Sequence, residues 1–290
     1  MEIVDAAQEF RDQYIAKANT LIQQSRFSLT VQQQRIIMTL LSQISPIDDD
    51  FKRYEFDIID FCRAVGIDDD NGKNYKNLKD AIKALADKSI WITKEGGKET
   101  LLRWIEKADI DHGIGSGKIS IRLDADMKPF LLHLQKNFTR YAVIWTLRFK
   151  SKYSFRLYEI AQSIHYHKEK PYSREYQLDE LCRMMGASDT KKQSYQSYQN
   201  FKAKALEPAV KEINLYSDKN VKWEPIKTGK KVTGIRLTVS TKPLREQQRI
   251  RDQIDESLGL LPGQVAMWES IREYEQEKRA PLPPAGDPQP

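Results

Sequence analysis

A run of polar and cationic side chains between positions 191 and 204 carries the clearest chemistry in the sequence. The run comprises Lys191, Lys192, Gln193, Ser194, Tyr195, Gln196, Gln199, Asn200, Lys202 and Lys204. Asn and Gln side chains can pair bidentately with adenine, and Lys can donate to guanine or to a phosphate. A helix that presents such residues near its N-terminal end can read base edges in the major groove of duplex DNA.

Three smaller groups of residues could add contacts to phosphates. The start of a helical pattern holds Lys150, Lys152, Tyr153 and Arg156, and a turn around Gly229 holds Lys227, Lys230 and Lys231. A weaker group follows three aspartates that would repel phosphate, and it comprises Lys73, Asn74, Lys76, Asn77 and Lys79. We therefore predict that the groups beyond residue 134 dominate contact with DNA and that the earlier group adds a secondary contact.

The distribution of charge along the chain favours the same interpretation. The formal net charge is +6, but residues 134–240 carry 21 Lys and Arg against 10 Asp and Glu, a net of +11. Residues 1–133 have a net charge of −3, and residues 241–290 have a net charge of −2. A field of one sign and this size usually attracts a polyanion, although it can also be a solvated surface that keeps the chain soluble.

An internal repeat organises the chain. Residues 56–66 and 176–186 share the order aromatic, apolar, acidic, apolar, Cys-Arg and Gly, offset by 120 positions. Each copy predicts a short helix with acidic residues in its first turn and glycine as its left-handed stop. A second helix follows, over 75–88 in the first copy and from about 193 to 216 in the second, where Pro208 should kink it.

Each copy also has a leading helix and closing strands. Thr30 and Gln33 form a capping box ahead of the first leading helix, and residues 153–164 form the second. Segments 90–92, 101–105 and 119–123 close the first copy as strands, and 221–223 and 235–239 close the second. The predicted fold class is α+β, with two tandem winged helix-turn-helix domains over 19–133 and 134–240. A helical extension over 1–18 precedes them, and a tail over 241–290, partly helical and then disordered, follows.

Several stretches resemble the iteron-binding Rep family of plasmid replication initiators, which drive theta-type replication. These stretches are Asn19–Ile22 with Ser28–Thr30 and Gln34–Ile37, Phe138-Thr139 with Tyr141, Leu147 with Lys150–Glu159, and Ala205–Asn214. The matches cover roughly residues 15–240 and spread over both halves of the chain. Residues 241–290 lie outside the resemblance.

The resemblance implies a sequence-specific initiator that binds direct repeats, or iterons, in double-stranded origin DNA as a monomer. It also implies dimers that contact through the first domain and repress the initiator's own promoter at an operator inverted repeat. Host replication proteins, an initiator or a helicase, are expected as further partners. No catalytic residue, metal or cofactor is expected, and the chain is not expected to be an enzyme.

Two alternatives stay open on the sequence. Rolling-circle initiators and relaxases cut DNA with a tyrosine and bind a metal through paired histidines, and His165-Tyr166-His167 formally fits, with Tyr195 or Tyr198 as nucleophile. The pair runs into Lys168–Pro171, which is typical of a loop and disfavours this reading. The second alternative is a transcription repressor without a replication role, whose DNA chemistry would be identical.

Composition excludes several other classes of protein. No apolar run approaches the ~20 residues that span a bilayer, and no Gly-Lys-Ser/Thr phosphate loop is present. The two cysteines, Cys62 and Cys182, are too few for a disulfide framework and are expected to be buried small hydrophobes. With an N-terminus that lacks a basic, apolar leader, these features predict a cytoplasmic protein in a reducing compartment.

Overall fold

A computed structural model of the chain describes residues 13–45, 48–65, 74–93, 95–111, 117–165, 169–187 and 198–257. Much of the base-reading run lies outside these ranges, and for those residues the expectation stays a prediction. They are Lys73, Lys191, Lys192, Gln193, Ser194, Tyr195 and Gln196, together with the side chain of Asn74.

The first half of the described chain alternates short helices with antiparallel strands. Its elements are β1 (Tyr14–Ala18), α1 (Asn19–Gln23), β2 (Ser25–Arg26), α2 (Val31–Ser42), β3 (Tyr54–Asp57), α3 (Ile58–Val65), α4 (Asn74–Ala86), β4 (Ser89–Thr93), β5 (Glu99–Arg103), β6 (Ile105–Asp111), β7 (Lys118–Leu123) and α5 (Lys128–Leu131). One antiparallel sheet has the order β2-β4-β5, and a second has the order β3-β7-β6. The predicted capping box is present, because Thr30 and Gln33 each accept the other's backbone N–H.

The second half builds a helical cluster against a long hairpin. Its elements are β8 (Phe138–Ala142), α6 (Lys152–His165), β9 (Tyr172–Gln177), α7 (Leu178–Met184), α8 (Tyr198–Phe201), α9 (Glu207–Tyr216), β10 (Lys219–Thr228), β11 (Lys231–Thr241) and α10 (Leu244–Ser257). Strand β11 lies between β10 and β9 in an antiparallel sheet. The hairpin apolar residues Val221, Ile235 and Leu237 face the helices and are buried.

A π-helical turn over Lys202–Leu206 joins α8 to α9, so the helical path runs from residue 198 to 216. Pro208 follows this turn directly, near the start of α9. A proline removes a backbone donor and crowds the preceding turn, and one wider turn relieves both effects. The irregularity expected at Pro208 therefore takes the form of a local widening.

The two copies of the repeat each consist of a strand that leads directly into a helix. Strand β3 precedes α3, and β9 precedes α7. Gly186 ends the second copy with a φ of +67°, as the sequence predicted for a left-handed stop. Helix α4 starts and ends within two residues of the predicted second helix of copy one.

Residues 14–18 form a strand, so the helix expected there is wrong. Ile15 and Lys17 alternate with more exposed neighbours, which is the two-residue period of a strand and not the period of a helix. Strand β1 pairs antiparallel with β8, from Tyr14 opposite Ala142 to Ala18 opposite Phe138. The N-terminal segment is thereby attached to the second half of the chain, while residues 1–12 lie outside the described ranges.

Helix α6 lies at the centre of the molecule. Every residue from Tyr153 to His165 is buried. The helix contacts α1 and α2 from the first half, and it also contacts α9, β8 and the hairpin sheet from the second half. The polar side chains of a helix that is buried all round must find their partners inside the protein. The predicted DNA contacts of Tyr153 and Arg156 lie on this helix.

Gly186 supplies a direct test of how closely the two halves approach. A Cβ at Gly186 would overlap the backbone carbonyl oxygen of Phe27, whereas a Cβ at Gly229, also at positive φ, would meet nothing within 4 Å. Gly186→Ala should cost about 1–2 kcal/mol for the left-handed backbone plus about 1–3 kcal/mol for the clash. Gly229→Ala should cost only the first amount. Urea unfolding measures both, and equal losses would contradict the close contact.

Candidate nucleic-acid interface

The N-terminus of helix α6 is closed by a carboxylate. Glu212, on α9, accepts hydrogen bonds from the backbone N–H groups of Lys150 and Ser151, both 3.1 Å, and from the Ser154 hydroxyl at 2.6 Å. These two amides directly precede α6, and Ser151 accepts the amides of Tyr153 and Ser154 in its first turn, so the amides at this helix start have partners within the protein. The backbone here is therefore used internally, while the Lys150 side chain is exposed.

Lys152 and Tyr153 face the first half of the chain and the core. Lys152 Nζ donates to Ser28 Oγ at 2.7 Å and lies 4.9 Å from the centre of the Tyr153 ring. Tyr153 itself is only 5% exposed. The prediction that Tyr153 donates to a phosphate is wrong, because its ring is part of the core.

Arg156 is a structural residue and not a DNA contact, which corrects the prediction from sequence. It is 2% exposed, and its guanidinium donates to the carbonyls of Met184 at 3.0 Å and Ile22 at 2.9 Å. It also pairs with Glu159 at 2.9 Å and stacks over the Phe27 ring. The planar fork of Arg suits this task, because it satisfies partners from α1, α6 and α7 at once.

Glu159 is the acceptor that balances this buried charge. Its carboxylate receives Lys17 Nζ from β1, Arg156 from its own helix and the Tyr141 hydroxyl from β8, the last at 2.7 Å. Burial alone would raise the pKa of Glu159, but Lys17 and Arg156 together outweigh it and hold this pKa below its usual value. Burial, and then the same carboxylate, raise the pKa of Tyr141 well above its usual value, so Tyr141 stays a neutral donor.

The described part of the polar run divides between two faces of its helix. Phe201, Ala205 and Leu206 are fully buried against the core. Gln199 and Lys204 are exposed, and Asn200 is half-buried. The amide and cationic groups that could reach DNA are thus carried on a helix whose opposite face is fixed by packing.

Lys202 occupies an intermediate position on the same helix. Its ammonium lies 3.5 Å from the Glu207 carboxylate and 5.8 Å from the centre of the Trp223 ring. These contacts orient the side chain between the start of α9 and the hairpin strand β10. A phosphate would have to compete with the Glu207 carboxylate for the Lys202 ammonium.

The hairpin tip presents an exposed basic group. Lys227, Lys230 and Lys231 are exposed at the turn between β10 and β11, where Gly229 takes a φ of +61°. The register shifts between Ile226 and Lys227, which marks a bulge just before the tip. The three predicted lysines therefore lie together, at the end of a projecting two-stranded element.

In the first half, α4 presents its polar residues to solvent. Lys76, Asn77 and Lys79 are exposed, while Leu78 and Leu85 are buried. The structure thus places these three predicted residues on the outer face of the helix.

Lys211 and Lys222 are exposed cationic residues that the sequence argument missed. Lys211 follows Lys204 by seven positions, which places both lysines on one helical face. The helical spacing would have identified Lys211 if the polar run had been continued two turns beyond Lys204. Lys222 lies on the strand that leads to the basic hairpin tip.

His165, the described member of the His-Tyr-His triplet, is 1% exposed and engaged within the fold. One ring nitrogen lies 3.0 Å from the Lys170 carbonyl and the other lies 3.5 Å from Thr241 Oγ1. Tyr166 and His167 lie outside the described residues. Within the described ranges, no cluster of three His, Cys, Asp or Glu suits a metal ion.

In the described residues, neither cysteine is placed as a reactive thiol. Cys62 is buried, and burial raises the pKa of the half-buried Cys182 thiol to about 12. A thiol with that pKa is a poor nucleophile. None of the described helices has the length and apolar character needed to cross a membrane.

The Glu159 cluster predicts a specific pH dependence of stability. Because the pKa of Glu159 is lowered in the folded state, its contribution is present above the ordinary carboxyl pKa and is lost as the pH falls below it. Glu159→Gln leaves Lys17 and Arg156 without a buried counter-charge and should cost about 3–5 kcal/mol at pH 7. Urea unfolding from pH 7 to pH 3 should show a shallower pH slope for this variant than for the wild type.

Glu175→Gln is the matched control for that measurement. Glu175 pairs with Arg236 on the exposed face of the hairpin sheet, and both side chains are about half exposed. Its loss should cost at most about 1 kcal/mol. Equal effects of the two substitutions would show that the Glu159 cluster does not hold the halves together.

Comparison with known proteins identifies the family. Residues 14–162 match the family described as initiator replication protein, WH1, and residues 177–239 match initiator Rep protein, WH2. A replication initiation protein of Escherichia coli is 25% identical over 210 residues, which are 70% of this chain and only 63% of that protein. The crystal structure of the Pi initiator protein in complex with iteron DNA is similar in fold, with a TM-score of 0.62 and 19% identity over 80% of this chain and 98% of that chain. The predicted pair of winged-helix domains is confirmed, and the chain belongs to the initiator replication protein family.

Proposed function

We propose that the chain is a plasmid replication initiator that binds direct repeats in double-stranded origin DNA as a monomer. The observation that carries the proposal is the exposed basic surface of the second domain, made of Lys204 and the hairpin-tip lysines Lys227, Lys230 and Lys231, with the exposed amide of Gln199 on the same helix as Lys204. The Pi initiator, of similar fold, was crystallised with iteron DNA, which supports the same class of ligand. The role in replication is inferred from the family, and DNA binding is inferred from the exposed basic surface.

The geometry supports one set of contacts to bases in the DNA groove and a separate set of contacts to the DNA backbone. Gln199, Asn200 and Lys204 lie on the helical segment that would enter the major groove, and the hairpin lysines would contact flanking phosphates. Lys76, Asn77 and Lys79 on α4 would supply the corresponding, weaker contacts from the first domain. Two such modules read grooves about one helical turn, roughly 10 bp, apart, so a site of about 20 bp is expected.

The first domain offers a surface for the dimer that would repress the initiator's own promoter. Trp91 and Leu101 lie opposite each other on β4 and β5 and are 43% and 49% exposed. Strand β5 is an outer strand of its sheet, so its free edge lies beside this apolar pair. An exposed apolar pair at a sheet edge suits antiparallel pairing with a second copy.

We propose that DNA is bound without being cut. His165 is buried and engaged by Lys170 and Thr241, and Tyr198 lies on helix α8. Incubation of supercoiled origin plasmid with the protein and Mg²⁺ or Mn²⁺ should leave the plasmid supercoiled. Nicking that disappears in Tyr195→Phe or Tyr198→Phe would overturn this part of the proposal.

Competition binding and a replication assay test the main proposal together. Fluorescence anisotropy should show that the protein prefers the plasmid's own direct repeat over a scrambled duplex by a factor of about 10³ or more. Deletion of the gene should abolish replication of a plasmid that depends on that origin. Repeat binding with normal replication after deletion would indicate a repressor without a replication role.

The hairpin tip should contribute affinity without sequence specificity. The triple variant Lys227→Ala, Lys230→Ala, Lys231→Ala should weaken binding to cognate and scrambled duplexes by similar factors, because phosphate contacts carry no base information. The slope of log affinity against log salt should fall by up to about 0.9 for each lysine that contacts a phosphate. The control replaces Lys52, Lys88 and Lys136, which are exposed and lie outside α4 and the β6–β7 and β10–β11 hairpins, and should leave the slope unchanged. The same slope change in both variants would contradict a contact at the tip.

The apolar pair on the first domain should control oligomeric state and operator binding. Leu101→Lys places a charge on the outer strand and should shift sedimentation towards the monomer while binding to a single direct repeat is retained. Binding to an operator inverted repeat should weaken. Leu244→Lys, at a residue 83% exposed on α10, is the control and should not change sedimentation. A dimer that survives Leu101→Lys would place the interface elsewhere.

A further inference from the structure

We propose that Glu212 is a positioning residue for sequence recognition, and this inference rests on the DNA-binding function proposed above. Glu212 does not face the proposed DNA surface: its carboxylate is directed at the N-terminus of α6, where it accepts two backbone N–H groups and the Ser154 hydroxyl. It lies on α9, which continues the helical segment that carries Gln199 and Asn200. The carboxylate therefore fixes the recognition helix against α6.

Apolar packing holds the inner face of this helix, but apolar contacts are non-directional. The residues fully buried on that face are Phe201, Ala205, Leu206, Ala209 and Ile213. Asn214 ties the end of α9 to β10, because its side chain exchanges two hydrogen bonds with the Val221 backbone. The three hydrogen bonds to Glu212 are directional and charge-assisted. They add a constraint on the rotation and tilt of the helix that packing does not supply.

The distance along the helix between Glu212 and the base-reading residues explains why this constraint matters for recognition. Asn200 precedes Glu212 by twelve residues, which is at most about 18 Å at the α-helical rise of 1.5 Å per residue, because the wider turn over Lys202–Leu206 rises less. A tilt of about 10° at Glu212 would move the region of Asn200 by about 3 Å, which is the full length of a hydrogen bond. Bidentate pairing to a base would not survive that displacement, whereas a flexible lysine could still reach a phosphate.

The partner of Glu212 also links the recognition helix to the first domain. The same start of α6 donates from Lys152 to Ser28, and Arg156 one turn later donates to the Ile22 carbonyl. Glu212 thus connects the second recognition helix, through one rigid helix, to the segment that holds the first domain. Loss of the Glu212 carboxylate should therefore disturb contacts to bases and should spare contacts to phosphates that depend only on charge.

The test compares cognate and scrambled duplexes for Glu212→Ala, Glu212→Gln and Ser154→Ala. Simple electrostatics predicts that removal of a carboxylate tightens binding to every duplex, so the positioning role predicts the opposite sign for the cognate site. Glu212→Ala should lower cognate affinity by about tenfold or more, the size of one good base contact, and leave scrambled-duplex affinity equal or slightly higher. Glu212→Gln and Ser154→Ala keep part of the hydrogen bonding and should give smaller losses.

The outcomes separate this inference from the proposed function. Glu256→Ala removes an exposed carboxylate on α10 and should leave the cognate-to-scrambled ratio unchanged. A merely destabilised protein loses both affinities together, and far-UV circular dichroism below each unfolding midpoint checks that Glu212→Gln and Ser154→Ala are folded. A wild type without preference for the repeat overturns the proposed function. A wild type with that preference, and a Glu212→Ala variant with an unchanged ratio, overturns only the role of Glu212.

Discussion

The buried carboxylate of Glu159 is the interaction on which the arrangement of both domains depends. It balances Lys17 from β1 and Arg156 from α6, and the same Arg156 donates to carbonyls on α1 and α7. A buried ion pair of this kind is not a large source of stability, because desolvation offsets most of the Coulombic gain. The ion pair instead restricts how the elements can be arranged. Elements more than 130 residues apart in the chain must meet in one geometry for each buried polar group to find its hydrogen-bond partner.

Helix α6 turns that constraint into an architecture for binding. One end receives Glu212 from the recognition helix, and the buried middle holds the first domain and the strand at the N-terminus. The two winged-helix domains therefore share one helix and are not independent modules on a flexible linker. Such an arrangement suits a protein that must place two helices in successive grooves of one duplex, because the spacing is set before DNA arrives.

Local patterns in the sequence were sufficient to predict most of the fold. The capping box at Thr30, the left-handed stop at Gly186 and the long hairpin all follow from short-range chemistry, and all are present. The roles of Tyr153 and Arg156 could not be predicted in this way. A basic residue near a helix start is usually solvated, and only the covering of α6 by α1, from far away in the chain, turns Arg156 into a buried donor. Strand β1 was missed for the same reason, since its partner β8 lies in the other half of the chain.

The surface left for DNA is smaller than the sequence suggested, and it is better defined. Lys150, Lys204 and the hairpin lysines remain exposed, while Arg156 and Tyr153 belong to the framework behind them. Hydroxyl-radical footprinting of the wild-type protein on its direct repeat tests whether α6 holds the two domains in one fixed arrangement. We expect two protected tracts on one face of the duplex, about 10 bp apart, with the stronger protection under the second domain. A single short tract, or two tracts whose spacing varies between complexes, would contradict a rigid pair of domains joined by α6.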